Sequence, residues 1–130
     1  MSKLHTIWAK CKANEKYLIS IDGDLMTPEK LNGYDTRGRE RKITQKLLKK
    51  RIDYIERASG RIYKRVKYVL AGKSYVASRL VVDTFIGIQN KANDIDHLDG
   101  NPENNKIENL EEVSRLVNIR RARRMGLYEN

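Results

Sequence analysis

Only one cysteine, Cys11, stands among the 130 residues, so no intrachain disulfide can form and no cysteine-based zinc site can be assembled. Long apolar runs are missing too: nothing approaches the roughly 18 apolar residues needed to cross a bilayer. The opening Met-Ser-Lys-Leu-His-Thr carries no apolar core of the signal-peptide kind. The expectation is a soluble cytoplasmic protein with no membrane partner. Internal repeats and low-complexity tracts are absent as well, which removes repeat architectures. The length suits one domain, or one compact module with a small appendage.

What is abundant is charge, chiefly of one sign. Hydrophobic residues make up 39% and charged residues 34%, enough for a modest core and too mixed in sign for disorder. Lys and Arg number 27 against 17 Asp and Glu, a net formal charge of +10. Such a surplus favours a polyanionic partner, a nucleic acid or an anionic membrane surface. The cations are spread over both halves of the chain rather than set beside one apolar face, which favours nucleic acid.

Along the chain, Tyr17 to Ile21 is β-prone and ends at the turn signal Asp22-Gly23-Asp24, so a hairpin is expected over 17–27. Residues 30–38 read as loop, punctuated by Asn32-Gly33 and Arg37-Gly38. Ile43, Leu47, Leu48, Ile52 and Ile55 then fall at helical spacing, which predicts an amphipathic helix from about Ile43 to Arg57. From Arg61 to Leu70 the period is two. Ile62, Val66, Tyr68 and Leu70 share one face, interrupted at Lys64, and Arg61, Tyr63, Arg65 and Lys67 share the other. A turn at Ala71-Gly72-Lys73 and a return strand follow, giving a ribbon with one apolar and one basic–aromatic face. Arg79 to Ile86 reads as a short core-facing helix stopped by Gly87.

The chemistry-bearing stretch runs from Asp94 to Asn118. Ile95 and Leu98 flank Asp96-His97 as strand residues would, and Asp99-Gly100-Asn101-Pro102 turns the chain. Leu110 to Val113 reads as a second strand, and Ser114 as the N-cap of a helix from Arg115 to about Arg124. If that helix crosses the hairpin, Asn118 faces the strand end that carries Asp96. A carboxylate and a carboxamide oxygen are donors that a hard divalent ion such as Mg²⁺ takes, with water and phosphate completing its shell. A neutral His97 beside them has the pKa range to deprotonate an attacking water. An EF-hand is excluded: with Gly100 sixth in the loop, the first position would be Ile95 and the twelfth Lys106. No helix carries a recognisable major-groove motif.

These residues resemble the HNH endonucleases with the ββα-metal fold, in the phage and intron-encoded homing type whose motif reads H-N-N. The resemblance lies in Asp96-His97-x-Asp99-Gly100-Asn101, Asn104-Asn105-x-Ile107-x-Asn109-Leu110 and Val113-Ser114-x-x-x-Asn118. The histidine precedes the middle Asn by 12 residues and the last by 21. Ser78 to Phe85 resembles the helix that precedes the family's site, with Ser78 where the family often has His. Tyr17 to Leu25 resembles, more weakly, a short β-module found ahead of such sites. The resemblance implies Asp96 and Asn118 as metal ligands, His97 as general base, and Asn109 as the residue that braces the loop. It also implies Mg²⁺ or Mn²⁺ as the ion, since a histidine is absent at position 118.

The expectation is therefore an α+β protein in two parts. Residues 1–73 would form a small, basic, β-rich DNA-binding region with one or two helices, and residues 74–130 the HNH ββα-metal module. The expected function is metal-dependent DNA endonuclease, of the phage-type homing or free-standing kind, acting in the host cytoplasm if phage-encoded. The alternative is a catalytically inactive DNA-binding regulator that keeps the HNH fold. Double-stranded DNA is the expected partner, with no small-molecule cofactor. Candidates for contacting DNA are Arg37, Arg39 and Arg41 in the loop, Arg61, Arg65 and Lys67 on the ribbon, and Arg115, Arg120, Arg121 and Arg124 on the last helix. Cations near a helix C-terminus also complement the macrodipole, which accounts for part of that last group.

Overall fold

A computed structural model describes residues 6–27, 30–34, 37–43, 46–56, 58, 60 and 62–124. The chain begins with β1 (Trp8–Lys10), β2 (Leu18–Ser20) and β3 (Leu25–Met26), an antiparallel sheet in the order β1-β2-β3. The hairpin expected over 17–27 is the β2–β3 pair, with Leu18 opposite Met26 and Ile19 opposite Leu25. Ser20 locks its turn. The buried hydroxyl accepts from the backbone N–H of Asp22 at 3.2 Å and of Asp24 at 3.0 Å, as a Ser beside a tight turn does.

Two expectations for the next segment are corrected. Residues 30–38 are not simply loop: β4 (Lys30–Tyr34) pairs antiparallel with β5 (Glu40–Ile43). Of the helix predicted over 43–57, residues 46–50 are non-helical chain and residues 51–56 form β6 (Arg51–Glu56), while residues 44, 45 and 57 lie outside the described residues. Among the described residues no helix precedes Ala77. The backbone shows why. Thr27 N–H donates to Lys46 O at 2.8 Å and Leu48 N–H to Leu25 O at 2.7 Å, so residues 46–48 run alongside β3. Further on, β6 lies against β7 (Ile62–Leu70), with Ile52 opposite Val66. Isoleucines at 52 and 55 suit a pleated surface as well as a helical stripe, and the β7 partner settles between them.

Among the described strands β7 is the longest, and it carries the predicted alternation from Val66 onward, whereas Ile62 at its start is 62% exposed rather than on the buried face. Val66, Tyr68 and Leu70 are buried on one face, while Arg65 is exposed on the other. It turns through Ala71 (φ 49°) and Gly72 (φ 83°) into β8 (Lys73–Val76). Positive φ at both central positions is the mark of the two-residue hairpin turn whose twist matches its strands. Tyr17 Oη accepts from Ala71 N–H at 3.1 Å and ties this turn to the N-terminal sheet.

Helix α1 (Ala77–Phe85) follows at once, burying Ala77, Ser78, Leu80, Val81 and Val82. It ends where Gly87 takes φ 97° and, with Ile86, donates its N–H to Val82 O; glycine meets that left-handed requirement without steric cost. The remaining elements are β9 (Asp94–His97), β10 (Leu110–Val113) and α2 (Arg115–Arg124), with a 3₁₀ turn at Ile107–Asn109 before β10. Strands β9 and β10 pair antiparallel, and α2 packs back on β9. This is the strand–loop–strand–helix order that the sequence predicts. Ser114 Oγ accepts from Val117 N–H at 3.2 Å, the expected N-cap.

One buried cluster holds these parts together. It joins Cys11 just after β1, Ile19 and Leu25 from the first sheet, Val66, Tyr68 and Leu70 from β7, Leu80, Val81 and Val82 from α1, and Leu110 from β10. Each fully buried aliphatic side chain contributes about 1.5–3 kcal/mol relative to exposure. The ββα unit and the N-terminal sheet thus share a core, and the hairpin turn at Gly23 sits against the loop between β9 and β10.

Candidate active site

Strand β9 alternates, so Asp94 and Asp96 share one face and Ile95 and His97 the other. Register puts Glu111 opposite Asp96 and Leu110 opposite His97. Asp94, Asp96, His97, Asn105 and Asn118 line one cleft of about 960 Å³. Lys64 and Arg65 of β7 and Arg115 of α2 line it too, so cations surround the acids.

Helix α2 brings Asn118 to β9, but to a different aspartate from the one expected. Asn118 Nδ2 donates to Asp94 Oδ2 at 3.1 Å, whereas Asp96 Oδ2 accepts from Arg121 Nη1 at 3.1 Å. Arg121 Nη1 also reaches Glu111 Oε2 at 2.7 Å. The Glu111 and Asp96 carboxylates beside it, in that order, raise the pKa of the Arg121 guanidinium. Asp94, which lines the cleft and accepts from Asn118, is absent from the sequence-based candidates. Its signal was available in the two-residue spacing from Asp96 along a strand.

His97 is oriented by another residue that the sequence marks only as part of the loop. Its Nε2 lies 2.8 Å from Asn105 Oδ1. The Asn105 amide has a defined sense, because its Nδ2 donates to Pro102 O at 3.3 Å. Oδ1 is therefore the acceptor toward the ring, so Nε2 donates to it and, in the neutral ring, the lone pair lies on Nδ1. Asn105 is itself only 6% exposed and packs on Gly23 of the N-terminal hairpin. The backbone joins the same two regions, with Ile107 N–H donating to Ile21 O at 2.8 Å.

Asn109 occupies the centre of the loop. Its Nδ2 donates to Asp99 Oδ1 and to Asn104 O, each at 2.9 Å, and its Oδ1 accepts from Asp99 N–H at 3.0 Å. Asn104 Nδ2 adds a bond to Asp99 Oδ2, and Asn101 N–H one to Asp99 Oδ1, both at 2.8 Å. The Asn104 amide, the Asn101 N–H and the Asn109 amide hold the Asp99 carboxyl below the usual range. Loop 89–93 is pinned in a similar way. Glu112 accepts from Gln89 N–H, Asn90 N–H and Asn93 Nδ2, which lowers its carboxyl pKa. Arg79 Nη1 donates to Asn93 O at 2.8 Å.

The basic candidates fall into groups. Arg65, Arg115, Arg120 and Arg124 are exposed, as are Arg37 and Arg39 near the β4–β5 connection. Lys67 is half-buried and ion-paired with Asp53 at 2.8 Å, which lowers the Asp53 pKa. Arg121 is occupied by the two carboxylates. Arg41 belongs to β5, and Arg61 lies outside the described residues.

A hairpin crossed by a helix, with the acidic–histidine pair on its first strand and Asn118 on the helix, is a ββα arrangement. Residues 75–120 match the family model described as HNH endonuclease. The resemblance carried by the motifs is thereby borne out over that segment. A solved structure titled "DNA binding and cleavage by the HNH homing endonuclease I-HmuI" shares the fold over nearly the whole chain. Its TM-score is 0.59 at 24% identity, covering 95% of this chain and 62% of that one. The chain thus spans about three fifths of that protein's length. No curated protein matches. Among the described residues no helix is long and apolar enough to cross a membrane.

The residues fit a divalent cation of the oxygen-loving kind. Asn118 uses its amide nitrogen on Asp94, which leaves the carbonyl Oδ1 as its acceptor toward an ion. Asp96 already holds one cationic group, so its position is compatible with positive charge. Among the described residues no group of three or more His, Cys, Asp or Glu could hold a metal.

Proposed function

We propose that the chain is a metal-dependent DNA endonuclease of the homing or free-standing HNH type. It would hydrolyse phosphodiesters to leave 5′-phosphate and 3′-hydroxyl ends. The observation that carries this reading is that Asp96, His97 and Asn118 line one cation-rimmed cleft, with the His97 ring oriented by Asn105. Residues 74–130 would be the nuclease module and residues 1–73 the region that positions double-stranded DNA.

Asp96 and Asn118 would hold Mg²⁺ or Mn²⁺, which when bound neutralises charge on the scissile phosphate and the leaving oxygen. His97 takes a proton from the attacking water at Nδ1. Asn105 keeps the other ring nitrogen protonated, so the imidazole presents a lone pair rather than an N–H. Because Asn105 is fixed in turn by Pro102 O, the ring direction is set before DNA arrives. Asn109 touches neither water nor ion in this scheme; it keeps the 99–105 loop, and so Asn105, in place. Arg65, Arg115, Arg120 and Arg124 neutralise backbone phosphates beside the cleft. Arg37, Arg39, Arg41, Arg61 and Lys67 extend that contact along the duplex.

The test is conversion of supercoiled plasmid to open circle under Mg²⁺, Mn²⁺ or EDTA. Metal-dependent nicking is expected. His97→Ala is expected to abolish it while DNA affinity stays largely intact, because the lost group is the base and not a phosphate contact. Equal cleavage by that variant would remove His97 from the mechanism. Binding without conversion under any metal would favour a DNA-binding regulator that keeps the fold.

A further inference from the structure

The register of β9 and β10 places Asp96 and Glu111 directly opposite each other. Like charges so placed repel, and a single nitrogen, Arg121 Nη1, bridges them at 3.1 Å and 2.7 Å. The two carboxylates differ in their access to water. The Asp96 side chain is 13% exposed and Glu111 48%, so Asp96 depends more on a counter-ion. A guanidinium stays charged at any working pH, so this one cannot be removed by deprotonation. It can only be displaced.

We propose that Arg121 is a built-in counter-ion of the cation site: it neutralises Asp96 in the metal-free chain, and a divalent ion must take Asp96 from it. The inference rests on the proposed role of Asp96 as a metal ligand. Glu111 makes the exchange small. The arginine's shorter contact is to Glu111, so release from Asp96 leaves it paired rather than stranded. The apparent metal affinity is then lowered by the fraction of chains in which Arg121 holds Asp96. Metal loading becomes a competition between two cations for one carboxylate, decided before any DNA binds.

The experiment titrates the full chain with Mn²⁺ in the absence of DNA, followed by calorimetry and by the electron paramagnetic resonance signal of free Mn²⁺. Arg121→Gln is expected to bind Mn²⁺ about fivefold more tightly than wild type, the scale of releasing one partly screened ion pair. Damage to helix α2 would weaken binding instead, so the sign separates competition from a structural role. Arg121→Met, uncharged with an unbranched stem, should show the same rise and keeps the result readable if the glutamine variant loses the helix. Arg123→Gln, an exposed arginine on the same helix, controls for net charge and should stay within about twofold of wild type. Asp96→Asn should abolish binding. Unchanged or weaker binding in both Arg121 variants, with wild-type binding still lost in Asp96→Asn, would overturn the counter-ion and leave the metal reading standing. An equal rise in Arg123→Gln would overturn it in favour of bulk charge. Absence of Mn²⁺ binding in wild type and variants alike would overturn both readings.

Discussion

Gly23→Ala perturbs the site from 74 positions away in sequence. Two costs apply. Gly23 has φ 93°, a left-handed conformation that strains any residue with a Cβ by about 1–3 kcal/mol. An added Cβ would also stand 2.8 Å from Asn105 Cβ and 3.0 Å from Asn105 O. Those are a branch point and a backbone atom, so no flexible side-chain end can move aside. Overpacking of this sort costs about 1–3 kcal/mol more. The strain falls on the residue that accepts from His97 Nε2, so Asn105 must shift or the hairpin must retreat from it. Gly72→Ala isolates the first cost, because Gly72 has φ 83° and a methyl added there would meet nothing within 4 Å. In urea unfolding Gly23→Ala should lose about 2–6 kcal/mol and Gly72→Ala about 1–3 kcal/mol. Under conditions where both remain folded, plasmid nicking should fall about tenfold in Gly23→Ala and hold near wild type in Gly72→Ala. Equal stability and equal nicking in the two variants would refute the coupling of the N-terminal hairpin to His97 through Asn105.

Two further outcomes follow from the same geometry. Asn109→Ala removes three hydrogen bonds from a residue 8% exposed and leaves Asn104 O and Asp99 N–H without their partner; a loss of about 2–4 kcal/mol is expected in urea unfolding. Tyr68 is buried and its hydroxyl donates to Gly23 O at 3.0 Å. Burial, with Asp24 nearby, pushes its pKa up to about 12 from 10.0. The folded state therefore favours the neutral phenol. Its contribution is fully present below pH 10.0 and is lost as pH rises toward about 12. Alkaline unfolding over that window should be shallower in Tyr68→Phe, which has no proton to lose; an unchanged slope would remove Tyr68 as the cause.

Much of this protein is determined by local sequence. The alternation of Val66, Tyr68 and Leu70, the turn at Asp22-Gly23-Asp24, the Ser114 cap and Gly87 as a helix stop each act within a few residues. The elements they specify stand where expected. The spacing from His97 to Asn109 and Asn118 belongs to the same class, since a hairpin, a cap and one helical turn fix it. Where local signals were ambiguous, distant partners decided. Isoleucines at 52 and 55 satisfy a helical and a pleated surface alike, and the antiparallel pairing of β6 with β7 selected the strand. Strand register set Glu111 opposite Asp96. The approach of α2 then gave Asn118 to Asp94 and Arg121 to Asp96, a choice no spacing encodes, because it depends on the angle at which a helix crosses a hairpin. Asn105 was visible as a residue, but its role comes from Pro102 O on one side and His97 on the other. The residue types available for chemistry were thus written in the chain, while the pairing of each carboxylate with its counter-ion came only from packing.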